Sequence, residues 1–208
     1  PASPASPASP ASPASPAGPS RTRGPKWMPK ERTFLVKVEK SAMQNLGLQF
    51  EDKDSKILIV SKVLEDSFAA KWNSTAAETE QIQPFDRLLE VNDSGLQSST
   101  DLIRLLKETE GPAQVRFERP QVIHFSIQAR GQKLGLMLEM SKATPSIRVR
   151  GLDPAGALQQ KCLADEKEYL KPHDRIFEVN GVTGTANMAK QMMEEEVAFR
   201  SYRYATES

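Results

Sequence analysis

Two short turns, Leu46-Gly47-Leu48 and Leu134-Gly135-Leu136, hold the residues best suited to chemistry in this chain. Glycine adopts backbone angles that other residues resist and lets a backbone approach a ligand closely. Consecutive amides in such a turn form a concave nest that binds an anion such as a carboxylate. Nucleophilic and metal chemistry has less to work with. The 208 residues include one cysteine, Cys162, and two histidines, His124 and His173. A single cysteine excludes an internal disulfide and a cysteine-built metal site. There is no Gly-x-Ser-x-Gly elbow, no Walker loop and no metal-spaced His/Cys set. His173 and Asp174 are adjacent, and neighbours on a strand face opposite sides, so they form no dyad. Cys162 reads as an inert, half-buried thiol on a short helix. The expectation is a protein that is not an enzyme, with no catalytic residue, no metal and no cofactor.

The turns need a strand and a helix to make a site. Leu46, Leu48 and Phe50 share one face by the period of two, and so do Leu134, Leu136 and Leu138. Gln49 and Met137 fall on the opposite face. Farther along, Ser99, Ile103 and Leu106 make one helical stripe at i, i+4, i+7. Leu102 and Leu105 lie on the neighbouring, core-facing stripe. The corresponding stripe in the second half is Ala186, Lys190 and Met193, with Ala189 and Met192 toward the core. An extended peptide can add as a strand to an open sheet edge beside such a helix.

These two sets of residues belong to an internal repeat. Ile82-Gln-Pro-Phe-Asp-Arg-Leu-Leu-Glu-Val-Asn92 matches Leu170-Lys-Pro-His-Asp-Arg-Ile-Phe-Glu-Val-Asn180 at an offset of 88, and the two glycine turns share that offset. Two separated motifs at one offset indicate a duplicated domain. The expected domains are 32–119 and 121–204, joined through Arg119 and Pro120. The short connection implies a restricted mutual orientation.

Unit one reads as strands Phe34–Val38, Leu48–Glu51 and Ile57–Val63, with a turn at Asp52–Ser55. A short helix, Asp66–Trp72, has Asp66 as its expected N-cap. A buried strand Arg87–Val91 follows. Next comes an amphipathic helix Ser99–Glu110, with a Ser98/Asp101 capping box and a Gly111-Pro112 stop. Gln114–Glu118 is the last strand. Unit two repeats the order, with strands around Phe125, Leu136 and Ile147, a Pro154–Lys161 helix, a strand at Ile176, an Ala186–Glu196 helix and a strand Val197–Tyr202.

Residues 1–15 are Pro-Ala-Ser repeated five times. Proline at every third position removes amide donors and fixes φ, so residues 1–31 read as a disordered, Pro/Ala/Ser-rich tail ending in a basic linker. Over residues 1–32, Arg21, Arg23, Lys26, Lys30 and Arg32 face only Glu31, a net of +4. With a whole-chain charge of +1, the rest of the chain carries −3. That balance excludes a dedicated nucleic-acid binder. No run of about 18 apolar residues is present to span a membrane. No charged-then-apolar N-terminal signal is visible, so a cytoplasmic location is expected, with membrane association arising only through partners.

The ordered set of glycine turn, D-R-Φ-Φ-E-V-N strand and long amphipathic helix, occurring twice, resembles the PDZ family over about 32–119 and 121–204. The resemblance implies a mainly β fold: two partly open β-sandwiches or barrels, each with two helices. It also implies a scaffold that binds the carboxylate-ended C-terminal tails of partner proteins by strand addition. The peptide site would comprise Asn45, Leu46, Gly47, Leu48, Gln49, Phe50, Ser99, Ile103 and Leu106 in unit one. In unit two it would comprise Lys133, Leu134, Gly135, Leu136, Met137, Leu138, Ala186, Lys190 and Met193. No obligate oligomer is implied.

The sequence departs from the family pattern at several of these positions. Phe85 and His173 replace a glycine. Asn45 and Lys133 stand at the first position of the turn, where the family has glycine. Ser99 and Ala186 stand where a histidine would select Ser or Thr in the ligand, which favours an apolar or unspecific ligand residue there. Lys190 would favour an acidic one, or close the groove. Lys40 and Arg130 lie near the place of a basic carboxylate-holding residue, a role that competes with that of a solvated strand end. Two other functions compete: a membrane-surface adaptor using the basic tail and Trp27, which lacks a second anchoring signal, and a structural tandem in which only domain one binds.

Overall fold

The computed structural model describes residues 32–51, 57–96, 98–140, 144–164 and 169–205. The expected tail with Trp27, and the Asp52–Ser55 turn, lie outside them. The first unit runs β1 (Thr33–Val38), a 3-10 turn (Lys40–Asn45), β2 (Leu48–Phe50), β3 (Leu58–Val63) and α1 (Phe68–Thr75). It continues with β4 (Arg87–Val91), β5 (Ser94–Gly95), α2 (Ser99–Glu108) and β6 (Ala113–Glu118). The second unit runs β7 (Gln121–Gln128), β8 (Leu136–Met140), β9 (Ile147–Leu152), α3 (Ala157–Ala164), β10 (Arg175–Val179), α4 (Thr185–Gln191) and β11 (Glu196–Arg203). The fold is mainly β, as the sequence implies.

Each unit has its own antiparallel sheet. The orders are β1-β6-β4-β3-β2, with β5 on β4, and β7-β11-β10-β9-β8. Alternation builds the cores. In β1, Phe34, Val36 and Val38 are buried while Leu35 and Lys37 are exposed. Phe117, Val115, Leu88 and Val91 complete the first core with Leu102 and Leu106 of α2. Ile147, Val149, Leu158, Ile176, Val197 and Phe199 form the second with Met188 and Met192. Among the described residues, no helix is long and apolar enough to cross a membrane.

Helix boundaries differ from the sequence reading for local reasons. Asp66 sits in the left-handed region (φ 57°) and cannot cap α1. Ser67, extended, does so instead, its Oγ accepting from Ala70 N at 3.2 Å. The Ser98 cap of α2 forms as expected, accepting from Asp101 N at 3.1 Å. That helix stops at Glu108, because Thr109 is extended and the Lys40 ammonium donates to the Lys107 and Thr109 carbonyls. α3 starts three residues late. Asp153 holds a turn through Ala155 N (3.0 Å) and Gly156 N (2.9 Å), which delays the helix. α4 ends at Gln191 because Glu196 is already in β11, paired with Gln128 of β7.

A duplicated clamp explains the repeated Asp-Arg pair. Asp86 is buried and accepts from Gln83 N (2.7 Å) and from Arg119 Nε and Nη2 (3.1 and 3.0 Å). Asp174 accepts from Lys171 N (2.8 Å) and from Arg203 Nε and Nη2 (2.9 and 2.7 Å). Both are forked Arg–carboxylate pairs, the geometry in which arginine bonds most strongly. Burial raises the Asp86 carboxyl above its usual value, against the lowering pull of Arg119 and the Gln83 amide. Arg119, read from sequence as a connecting residue, closes its own unit.

The two units touch. Glu51, following β2, pairs with Arg175 of β10 and accepts from Ser146 Oγ at 3.4 Å. Tyr204 OH donates to Phe85 O at 2.7 Å, and Ala205 N donates to Glu118 Oε1 at 2.6 Å. The Phe85 ring lies 4.6 Å from Tyr202, which stacks at 4.2 Å on Phe177. Burial pushes the Tyr204 phenol well above its usual value. The folded chain thus keeps that proton to higher pH than the unfolded chain, whose tyrosines ionise near pH 10. The contact's stability is full below about pH 10 and is lost as pH rises toward the folded-state value. Tyr204→Phe should cost about 1 kcal/mol at neutral pH and flatten the alkaline fall, as read by urea unfolding at pH 7 to 11.

Candidate functional site

Among the described residues, β2 and β8 are outer strands of their sheets, each with one partner strand. Their backbone orientation follows from the bonds on the paired side. Leu48 faces Val63 in register, while Leu64 N donates to Gly47 O at 2.8 Å. That pattern marks Leu48–Val63 as a non-hydrogen-bonded pair, so the N–H and C=O of Leu48 point away from β3 to the open edge. Phe50 faces Val60, and Glu51 N donates to Ile59 O at 2.9 Å, so Phe50 points its backbone the same way. In unit two, Leu136 faces Leu152, and Asp153 N donates to Gly135 O at 2.7 Å.

The glycine turns continue this pattern. Leu46 O accepts from Ala69 N at 3.1 Å, at the start of α1. In a trans peptide, C=O and N–H point opposite ways, and no peptide here is cis. The N–H groups of Gly47 and Leu48 therefore both turn away from α1 and β3. In unit two, Lys133 O and Leu134 O accept from Ala157 N (3.0 Å) and Leu158 N (3.2 Å) of α3. The N–H groups of Leu134, Gly135 and Leu136 turn outward together. Successive outward amides at the head of an open strand make an anion nest, and the edge below offers a ladder to an extended chain.

Both glycines hold the backbone angles that their type suggests, and both also face crowded space. Gly47 and Gly135 have φ of 73° and 75°. A Cβ on Gly47 would overlap the Ser67 side chain, and one on Gly135 would lie 2.6 Å from Gly156 Cα. The missing side chain is needed on the protein side, where the turn packs on the helix N-terminus. Ser67 and Gly156 are thus site-building residues that the sequence reading missed. Gly156, just ahead of α3, was the available signal.

The side chains sort by burial. Leu46 is buried, Leu48 and Phe50 are half-buried against the first core, and Gln49 is exposed on the other face. Asn45 is exposed at the end of the 3-10 turn. On α2, Ser99 is half-buried, Ile103 is 54% exposed and Leu106 is buried. Leu105, expected on the core-facing stripe, packs against the first core. Leu106 belongs to the core with Leu102, and Leu105 is only partly buried. Lys40 is engaged on the α2 carbonyls, not placed as a solvated strand end.

In unit two, Leu134, Leu136 and Leu138 are half-buried against the second core, and Lys133 is exposed. Met137 is exposed, with its Cε near Gly151. Ala186 and Lys190 lie on the exposed side of α4. Met193 lies beyond the helix, 86% exposed, so the three do not form one helical stripe. His173, expected on a strand, precedes β10 at φ 76°, with Nδ1 2.9 Å from Arg148 Nη2. Phe85 has φ 73°. Both hold the left-handed geometry that favours glycine.

No family model matches the chain, and no curated protein matches it. Among solved structures it is similar to the complex of INAD PDZ45 and NORPA CC-PBM, at 14% identity over 86% of this chain and 96% of that one, with a TM-score of 0.35. It is also similar to INAD PDZ45 in complex with NG2 peptide, at 12% identity over 89% and 98%, with a TM-score of 0.33. The repeated motifs, the two matching strand orders and the two glycine turns define a tandem of two like units.

Gly47→Ala should destabilise the protein by about 2 kcal/mol or more, since positive φ and a blocked Cβ add. Gly131→Ala, at a positive φ in open space, should cost less. Chemical unfolding of both variants checks this. An equal cost would show that the Ser67 contact adds nothing.

Proposed function

We propose that this chain is a protein-interaction module whose units, 32–119 and 121–204, take the C-terminal tails of partner proteins as an added strand. The observation that carries the reading is the run of outward amides at the head of each open edge strand, held by helix N-termini behind it. A chain-terminal carboxylate would sit on the amides of Gly47 and Leu48, or of Gly135 and Leu136. The tail would then run antiparallel along β2 or β8. Leu46, Leu48 and Phe50 would form the floor, with Ser99 and Ile103 as the α2 wall. With no imidazole at Ser99 and an exposed Ile103, unit one favours an apolar ligand side chain. In unit two, Lys190 favours an acidic one. A contact this short supports micromolar affinity, about −8 kcal/mol.

The test is an amide NMR titration of the full chain with two peptide pools, one with free and one with amidated C-termini. Shifts at Gly47 or Gly135 with the free pool only are expected. Shifts with both pools would indicate internal-peptide recognition, and silence in both would sink the reading. Leu48→Ala should weaken unit-one binding several-fold without abolishing it, because the backbone ladder survives.

A further inference from the structure

We propose that unit two is a buttress for the ligand edge of unit one: its docking holds the end of β2 in place and so sets the affinity of that edge. This rests on the peptide-binding reading above. Among the described residues, Glu51 directly follows β2, and its amide donates to Ile59 O at 2.9 Å. At the offset of the repeat, Glu51 corresponds to Glu139. Glu139 continues β8, is exposed, and pairs with Arg148 (3.4 Å) and Arg150 (3.1 Å) of its own hairpin. Glu51 does something else. Its side chain is 1% exposed and is bound by Arg175 and Ser146 of the other unit. A carboxylate so buried is stable only with its partners in place. The last turn of the ligand edge thus depends on a residue from the second unit.

The contact bears marks of specialisation in the duplicated copies. Equivalent positions differ where the units meet: Phe85 against His173, and Leu89 against Phe177. Phe85, Phe177 and Tyr202 are the rings of the shared cluster. Phe85 holds its left-handed backbone there and accepts from Tyr204 OH. Arg87 and Arg175 are the same residue of the repeat, and both serve the contact. Arg175 meets Glu51, and Arg87 lies 3.7 Å from Glu118 and donates to Ala205 O at 3.4 Å. The two copies carry complementary residues at one face, as a fixed heterologous contact requires. Coupling of this kind is reciprocal: if docking strengthens ligand binding, ligand strengthens docking by the same factor.

The experiment uses the full chain and Arg175→Leu. Glu51→Gln serves as a second variant of nearly unchanged shape, in case the first does not fold. The readouts are hydrogen exchange of the Gln49 amide and Kd for a peptide, chosen from the free-carboxylate pool above, at each unit. Exchange at Gln49 should rise about tenfold and the unit-one Kd should rise about tenfold, within the usual range of coupling between sites. The unit-two Kd should move less than twofold. Unchanged exchange, or unchanged unit-one affinity with Glu51 unpinned, overturns the proposal. If the parent chain binds no peptide, the peptide reading fails, and the exchange readout alone judges the buttress.

Discussion

The peptide groups at the head of β2 and β8 are oriented by what lies behind them. The carbonyls of Leu46 and Gly47 are taken by α1 and the residue after β3, and those of Lys133, Leu134 and Gly135 by α3 and the turn before it. A planar trans peptide then leaves no choice for the amides, which must face outward. The anion nest is thus a by-product of closing the turn on a helix N-terminus. This accounts for the glycine at both turns and for the close approach of Gly135 to Gly156. It also leaves the edge strand available, since the nest sits at the top of the side with no partner strand.

Buried charge organises the rest of the molecule at two levels. Within each unit, the Asp86–Arg119 and Asp174–Arg203 forks tie the turn before the middle strand to the end of the last strand. Between units, Glu51–Arg175 joins the end of an edge strand to the other sheet. Such pairs gain little over an apolar contact but are costly to break one partner at a time. They therefore specify geometry more than they add stability. The aromatic cluster of Phe85, Phe177 and Tyr202 supplies the apolar area beside them.

Duplication makes the differences between units informative. The turns, the clamp and the sheet order are common to both. The second helix of each unit differs: α2 runs through ten residues with a side-chain N-cap, while α4 has seven and follows Gly184 without one. The shorter helix leaves Met193 outside it, exposed.

Much of the fold was legible in the amino-acid sequence because it is periodic or local. Alternation marked β1 and the inner face of β2, the Ser98 cap marked the start of α2, and the 88-residue offset marked the duplication. Each is a property of neighbours along the chain. Other features depended on residues far apart. Asp66 lost its cap to Ser67, α2 ended where Lys40 reaches it, and α4 ended because Glu196 was drawn into β11. The purpose of Gly47 is set by Ser67, and the roles of Glu51 and Arg119 by partners in other elements. Residue type and spacing determine which backbone conformations are cheap. Which carbonyl meets which amide, and which carboxylate is buried against which arginine, is decided only when the sheets close and the two units meet.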